Sequence, residues 1–412
     1  MLSENRIKEG YMEHLPQIIT SLLQNDLYKF SMGQTIFHQH SKKMVHWTFK
    51  CRNKDVKFTP EMVEEIKHQI GLYCKLHFKK SELDALRTNV IWLKEDYLGY
   101  LKFWHPDETE IVIGTDADCG LTIDIYGPAT NVSPYETPVM AIVCEVYYRM
   151  GGQGDYQTLL DDFKAQVNEN IDKIENGIYD IGAWSEFGFR RALSQEAHDY
   201  LIRTLVERKC KGFLGTSNVY LAFRYGVKPM GTMAHEFCML VGQGYPEQNP
   251  AYSNKYMLDS WVKEYGILNG IALTDTITTD AFLRDFQLTY ATLFSGIRHD
   301  SGDPYKWGEK MIAHYKSLGI DPMTKTLLFS DSLTLEKATA INEYFTGKAK
   351  VAFGIGGAWA SPKGKELNIV IKPIEVDGRP VAKLSDAPGK NMCKDPAYID
   401  YLNKTIEWRL TH

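Results

Sequence analysis

The apolar pattern of the chain changes texture near Pro134. Before it, Ile18, Ile19, Leu22, Leu23, Leu27, Phe30 and Ile36 stand near helical spacing and predict a helix over residues 18–40. Val45, Trp47, Phe49 and Cys51 alternate with their neighbours, the period of a half-buried strand that ends at Arg52. Helical spacing returns over 60–76 and 81–102, and Glu110 to Ile113 and Leu121 to Ile125 read as two strands across a Gly/Asp turn. Helices mixed with antiparallel strands predict a smaller α/β domain.

After Pro134 a long helix (Val139, Ile142, Val143, Val146, Tyr147) and another over 155–175 lead into short apolar runs that alternate with helices. The runs are Ile178 to Ile181, Gly212 to Leu214, Lys228 to Met230, Ile271 to Leu273, Leu293 to Ile297, Leu327 to Phe329 and Val351 to Phe353. Each leads to a polar or glycine-rich cluster. About seven strand–loop–helix units in a row predict an α/β fold built on an incomplete parallel (β/α) barrel, its site on the face where the strands end. A doubly wound open sheet is the alternative. Leu367 to Ser385 reads as two strands around Asp377-Gly378, a hairpin signal, expected to return to the first domain. The predicted division is an N-terminal α/β domain (1–128), a barrel (129–365), and C-terminal strands and helix completing the N-terminal domain (366–412).

Composition narrows the class. The 412 residues are 44% hydrophobic and 24% charged, enough for a large core and two domains. A net charge of -5 argues against a general nucleic-acid binder. No apolar stretch reaches the ~20 residues that span a bilayer, so no membrane association is expected. The first twenty residues carry Glu4, Glu9 and Glu13 and no apolar core, so no secretory signal is read there. Seven widely spaced cysteines without a C-x-x-C predict reduced thiols in a cytoplasmic protein, not a disulfide frame or a zinc site.

The candidate chemistry gathers at the run ends. Arg298-His299-Asp300-Ser301-Gly302-Asp303-Pro304 sits where a strand ends and a helix begins. Arg298 offers a planar fork for a phosphate or carboxylate, and Asp300 can accept from two sugar hydroxyls. A loop ion pair between Arg298 and Asp300 or Asp303 is the plainer reading. Gly354-Ile355-Gly356-Gly357 lets backbone N–H groups approach a phosphate, or is a tight turn. Neither G-x-G-x-x-G nor a P-loop occurs. His235, followed by Glu236, is either a buried structural histidine or an acid, base or nucleophile toward a phosphoryl group. No H-E-x-x-H pattern supports a metal there. Tyr28, within Asn25-Asp26-Leu27-Tyr28-Lys29, reads first as core.

Seven motifs in one order carry a resemblance. They are Asn25-Asp26-Leu27-Tyr28-Lys29, Phe187-Gly188-Phe189-Arg190, Gly215-Thr216-Ser217-Asn218, Gly231-Thr232-Met233-Ala234-His235-Glu236, Leu273-Thr274-Asp275, Arg298 to Pro304 and Phe353-Gly354-Ile355-Gly356-Gly357. Together they closely resemble the nicotinate phosphoribosyltransferase family over residues 20–395. The resemblance implies formation of nicotinate mononucleotide and pyrophosphate from nicotinate and 5-phosphoribosyl-1-pyrophosphate, coupled to ATP hydrolysis through a phosphohistidine at His235. This is the entry step of NAD synthesis from nicotinate. It implies Phe187 stacked on the pyridine ring, with Tyr28 of a second subunit on the other face of a homodimer's shared site. Asp300 would hold the ribose diol, Arg298 would sit near the base or transition state, and Asp275 would orient His235. Gly356 and Gly357 would cradle the 5-phosphate. Arg190 would neutralise pyrophosphate, with Arg52, Lys372 and Lys383 from the partner. Ser301, Gly302 and Asp331 complete the substrate-binding set. Mg2+ would ride mainly on pyrophosphate oxygens and water.

Ser217 and Asn218 stand where nicotinamide-using relatives place an acidic residue, so nicotinate is the expected acceptor. Nicotinamide and quinolinate transferases are the neighbouring alternatives. A barrel glycoside hydrolase using Asp275, Asp300 and Asp331 is a more distant one, and a non-catalytic metabolite binder is another.

Overall fold

Seven short parallel strands carry the larger part of the chain in this computed structural model, which describes residues 7–8, 11–386, 393 and 395–412. They are Ala183–Glu186, Phe213–Thr216, Lys228–Pro229, Ile271–Leu273, Gly296–His299, Thr326–Phe329 and Lys350–Ile355. The first pairs with both the second and the seventh, so the sheet curls around its own start. The two sheet edges are the third and fourth strands. Between them the wall is open, and Thr232 Oγ1 donates across it to Ile271 O at 2.9 Å. The expected incomplete seven-strand barrel is what forms. Its interior is aromatic: Phe329 stacks on Phe353 at 5.8 Å and Trp184 on Trp359 at 5.4 Å. Burial of each such ring contributes roughly 2–3 kcal/mol.

A second sheet is antiparallel, in the order Arg379–Pro380, Ile369–Val376, Met44–Cys51, Thr122–Pro128, Ile111–Gly114. Its longest pairing joins Ile369–Val376 to Met44–Cys51, so residues from opposite ends of the chain lie side by side. Ile369–Val376 also packs against the helix His235–Gln243, which enters at the barrel's open edge. That contact sets the small sheet over the barrel mouth.

Several sequence expectations need correction. The helix expected over 18–40 spans only Leu27–Gln39. Upstream, side-chain amides compete for the backbone: Gln69 Oε1 accepts from Ile18 N, and Gln24 Oε1 accepts from Thr20 N and Ser21 N. The stretch 81–102 is two helices, Lys80–Asn89 and Glu95–Leu101. Ile178 to Ile181 is not a strand. Gly177 and Gly182 bracket it at φ +73° and +72°, Ile178 is exposed, and the strand starts at Ala183. The run Leu293 to Ile297 is split, because the helix Leu288–Leu293 uses its first residue and the strand begins at Gly296. Of the late hairpin, the second strand is only Arg379–Pro380. The C-terminal helix Pro396–Thr411 packs on the barrel side, not on the N-terminal sheet: Leu402 and Ile406 cluster with Ala251, Ile277 and Ala281.

Arg409 fastens that helix. Its guanidinium donates to Asp285 at 2.5 and 3.0 Å and to Ala251 O at 2.7 Å, and the Asp285 side chain is only 2% exposed. Arg409→Ala leaves a buried carboxylate uncompensated and is expected to cost about 3 kcal/mol. Arg208→Ala, which breaks surface pairs with Asp172 and Glu175, is expected to cost less than about 1 kcal/mol. Urea unfolding of the two variants checks the difference.

Candidate active site

Every barrel strand ends at a residue of one cleft or of its wall. Phe187 follows the first strand, Ser217 the second, Gly231 the third, Asp275 the fourth, Asp300 the fifth, Asp331 the sixth and Gly356 the seventh. The cleft has a volume of about 370 Å3, and Tyr28, Arg52, Lys372 and Lys383 close it from the small-sheet side. Asp275 and Ser301 lie just behind the wall, joined by a 2.5 Å hydrogen bond from Ser301 Oγ to Asp275 Oδ2. Gly302, at φ +85°, faces Asp386. A single chain therefore brings Tyr28, Arg52, Lys372 and Lys383 to the barrel loops. The family resemblance implied that they come from a partner subunit, but the pairing of Ile369–Val376 with Met44–Cys51 brings Arg52 and Lys372 to the cleft within one chain.

The acceptor end is built by close backbone approach. Leu27 N donates to Ser217 O at 2.9 Å, which pins Tyr28 beside the second barrel strand. Phe187 N donates to Ile355 O at 2.9 Å, and a Cβ at Gly354 would collide with the Phe187 ring. Behind the ring, Glu186 is fully buried. It accepts from Gly188 N, from Thr216 Oγ1 at 2.5 Å and pairs with His198 Nε2 at 2.9 Å, so one carboxylate ties the Phe187 loop to the Ser217 loop.

The other end is crowded with cations. Burial, then the charges of Lys383, Arg52 and Arg190, push the Lys372 ammonium down to about 7. Burial and Arg190 push Arg191 down to about 10 and lower Arg52 as well. Burial works against Arg190 too, but Tyr28, Glu136, Asp26 and Asp300 outweigh it and hold its pKa up. Arg190 Nη1 donates to Glu136 Oε1 at 3.1 Å. Glu136 in turn shares the buried Lys29 ammonium with Glu236, at 2.7 and 2.6 Å. Burial raises Glu236, while Lys29 and Arg190 overcome burial to hold Glu136 low.

His235 caps this region. Its Nε2 lies 2.9 Å from Asp300 Oδ2 and 2.7 Å from Lys383 Nζ, and its Nδ1 lies 3.1 Å from Thr276 Oγ1. Burial and the Lys383 charge push its pKa down to about 4, so the ring is neutral. Asp275 was expected to orient this ring. Asp300 is the closer carboxylate, and Asp275 stands 3.6 Å off, held by Lys383 at 3.1 Å and Ser301. His235, Asp275 and Asp300 have ligand atoms within 4.8 Å of one another, a spacing that suits a metal. The Lys383 ammonium already stands among them. His299, the other histidine of the motif, packs against Trp307 and Phe329 and does not line the cleft.

Sequence reading missed Asp26, Glu136, Arg191, Ser330 and Asn368, which also line the cleft. Asp26 lies inside the motif Asn25-Asp26-Leu27-Tyr28-Lys29, and Arg191 beside Phe187-Gly188-Phe189-Arg190, but neither was given a role. Glu136 and Asn368 carry no motif signal.

Comparison with known proteins follows this geometry. A model of the nicotinate phosphoribosyltransferase (NAPRTase) family matches residues 183–409, and its N-terminal domain model matches residues 23–144. The chain belongs to the nicotinate phosphoribosyltransferase family. It is 40% identical over 396 residues to a nicotinate phosphoribosyltransferase of Xylella fastidiosa, covering 94% of this chain and 98% of the relative. One from Bordetella pertussis is also 40% identical over 396 residues, covering 95% of each. Among solved structures, a nicotinate phosphoribosyltransferase from Vibrio cholerae has a TM-score of 0.87 at 34% identity, over 96% of this chain and 95% of that one. One from Porphyromonas gingivalis has 0.85 at 31%, over 95% and 100%. No helix among the described residues is long and apolar enough to cross a membrane.

Two outcomes test this geometry. Gly354→Ala displaces the Phe187 ring. It is expected to cost about 1–3 kcal/mol in stability by overpacking and to raise the KM of the pyridine substrate roughly two- to tenfold, the worth of a ring stack. Steady-state kinetics beside urea unfolding measure both. Because Tyr28 and Asp300 meet within one chain, mixing Tyr28→Ala with Asp300→Ala chains is expected to restore no activity. Recovery of activity in the mixture contradicts a site complete in one chain.

Proposed function

We propose that the chain transfers the phosphoribosyl group of 5-phosphoribosyl-1-pyrophosphate to nicotinate, giving nicotinate mononucleotide and pyrophosphate, with ATP hydrolysis coupled through His235. The observation that carries this reading is the set of cations crowded into the same cleft as Phe187 and Tyr28. Buried like charges that depress one another are stabilised by a polyanion, and a flat apolar slot beside them suits an aromatic ring.

In this reading the pyridine nitrogen forms a bond to the anomeric carbon as the bond to pyrophosphate breaks. Arg52, Arg190, Arg191 and Lys372 take up the charge that the leaving group gains, and Phe187 and Tyr28 hold the ring in line. Positioning and charge neutralisation supply most of the rate. Mg2+, when bound, would neutralise pyrophosphate oxygens, with Asp300 and Asp331 as the nearest carboxylates.

His235 suits phosphoryl transfer. In the neutral tautomer with its proton on Nδ1 toward Thr276, the Nε2 lone pair, held by Lys383 until ATP binds, would attack the terminal phosphorus of ATP as ADP leaves. Lys383, beside Nε2, would pass to the phosphoryl oxygens. Formation of nicotinate mononucleotide with and without ATP tests the function, and absence of product in both overturns it. His235→Asn is expected to abolish ATPase activity and acid-labile phosphate uptake. A slower transfer without ATP is expected to survive, because Phe187, Arg298 and the cation set remain. Undiminished acid-labile phosphate in that variant removes His235 from the role. In this reading the chain works in the cytoplasm, at the entry to NAD synthesis from nicotinate. Since Tyr28, Arg52, Lys372 and Lys383 line the cleft from the same chain as the barrel loops, each site of a homodimer would in this reading be lined within one subunit.

A further inference from the structure

Three buried polar atoms of the acceptor end, Asp26 Oδ1, Ser217 Oγ and Arg298 Nε, make no well-formed hydrogen bond among the described residues, although the Ser217 hydroxyl is near enough to the Asp26 carboxyl to favour its ionised form, and all three residues line the cleft. Buried polar groups are nearly always paired, so such a set marks a place for ligand atoms. Arg298 Nε–H is a donor and Ser217 Oγ–H can be one, whereas an ionised Asp26 can only accept. The backbone holds them together: Asp26 bridges to Asn218 in antiparallel register, and Arg298 Nη1 is fixed by Met233 O at 3.0 Å.

An acidic side chain thus stands beside Ser217 after all. It comes from the chain segment before Tyr28, not from the Gly-Thr-Ser segment where the sequence was searched for it. An ionised carboxylate there would repel the carboxylate of nicotinate and accept from the amide N–H of nicotinamide. A protonated one would donate to nicotinate.

We propose that Asp26 is a specificity-determining residue that reads the substituent of the pyridine ring together with Ser217 and Arg298, and that it takes nicotinate in its protonated form, so that the choice between carboxylate and carboxamide is set by pH. This rests on the proposed transferase function. Burial lifts the Asp26 carboxyl to about 6, with the Ser217 hydroxyl and the Arg190 charge offsetting part of the rise and Glu136 and Glu186 adding to it. These groups face Asp26 from the Phe189–Arg191 turn, the helix Glu136–Arg149 and the first barrel strand, and Tyr28 stands beside it on its own helix.

The sign follows. Nicotinate requires the protonated carboxyl, so its kcat/KM is full below the Asp26 pKa and falls as pH rises through it. Nicotinamide behaves oppositely or stays level. The ratio of the two kcat/KM values cancels ionisations of phosphoribosyl pyrophosphate and of the cations, and is expected to fall about tenfold per pH unit above about 6. In Asp26→Asn, whose amide donates at every pH, the ratio is expected to be level from about pH 5.5 to about 8.5. A level ratio in the unsubstituted enzyme, or an unchanged fall in Asp26→Asn, overturns the inference while leaving the transferase function intact. Turnover of neither acceptor overturns the function instead. Should Asp26→Asn not fold, calorimetry of nicotinate binding to the unsubstituted enzyme at about pH 7.5, in two buffers of different protonation enthalpy, decides. Uptake of close to one proton supports the inference, and uptake of none overturns it.

Discussion

Repulsion among Arg52, Arg190, Arg191, Lys372 and Lys383 is the constraint to which the rest of the molecule answers. Burial first, and then the neighbouring cations, lower Lys372 and Arg191, so gathering these groups in one cleft raises the energy of the folded chain. They are held there by structure that has no other way to relax. Arg52 ends the strand Met44–Cys51, Lys372 sits on its antiparallel partner, and Lys383 follows on the same stretch of chain. Arg190 and Arg191 sit on a tight turn immediately behind Phe187. The carboxylates nearby are arranged so as not to cancel this field. Glu136 is shared between Arg190 and Lys29, and Asp275 and Asp300 are shared between Lys383 and His235.

That arrangement explains why His235 is neutral despite two carboxylates within reach. An isolated His–Asp pair would favour the charged imidazolium. Here the ammonium of Lys383, 2.7 Å from Nε2, together with burial, outweighs Asp300 and Asp275. The same cation that fills the place of a metal keeps the ring a nucleophile instead of an acid. Removing the charge of Lys383 would therefore alter the protonation of the histidine as well as any contact with phosphate.

Much of this was legible in the sequence, and the limits have physical causes. Six of the seven parallel strands were visible because each is a short apolar run closed by a glycine or polar cluster. The error at Ile178 to Ile181 arose because apolar composition was read without the glycines at 177 and 182, whose positive φ breaks any strand there. The first helix was overextended because leucines at 22 and 23 bury equally well in an irregular segment whose N–H groups go to glutamine side chains. Phe187, Ser217, Asp300, Asp331 and Gly356 follow barrel strands and do line the cleft, since their position depends only on local topology, whereas Asp275 and Ser301 stand behind its wall. Tyr28, Arg52 and Lys372 were assigned to a partner on the family resemblance, and nothing in the local pattern placed them within reach of the barrel loops of their own chain. Strand pairing between the chain's two ends is a tertiary fact that local periodicity does not contain. Asp26 was overlooked for a related reason: the acid beside Ser217 arrives from a segment nearly two hundred positions away in the chain.

The empty cleft and the filled one differ in protons as well as in ligand. In the unfolded chain a lysine holds its proton up to about 10.4, whereas Lys372 in the empty cleft gives it up near 7. Between those values the unfolded chain binds more protons, so this residue makes the empty native state more stable as pH rises from 7. A bound polyanion would restore the ammonium and remove this pH dependence, because the cleft would then hold the proton as firmly as the unfolded chain does. Charge crowding that costs stability without substrate thus becomes binding energy with it. The fold can carry that strain because the strand bearing Lys372 is locked between Met44–Cys51 on one side and the helix that begins at His235 on the other.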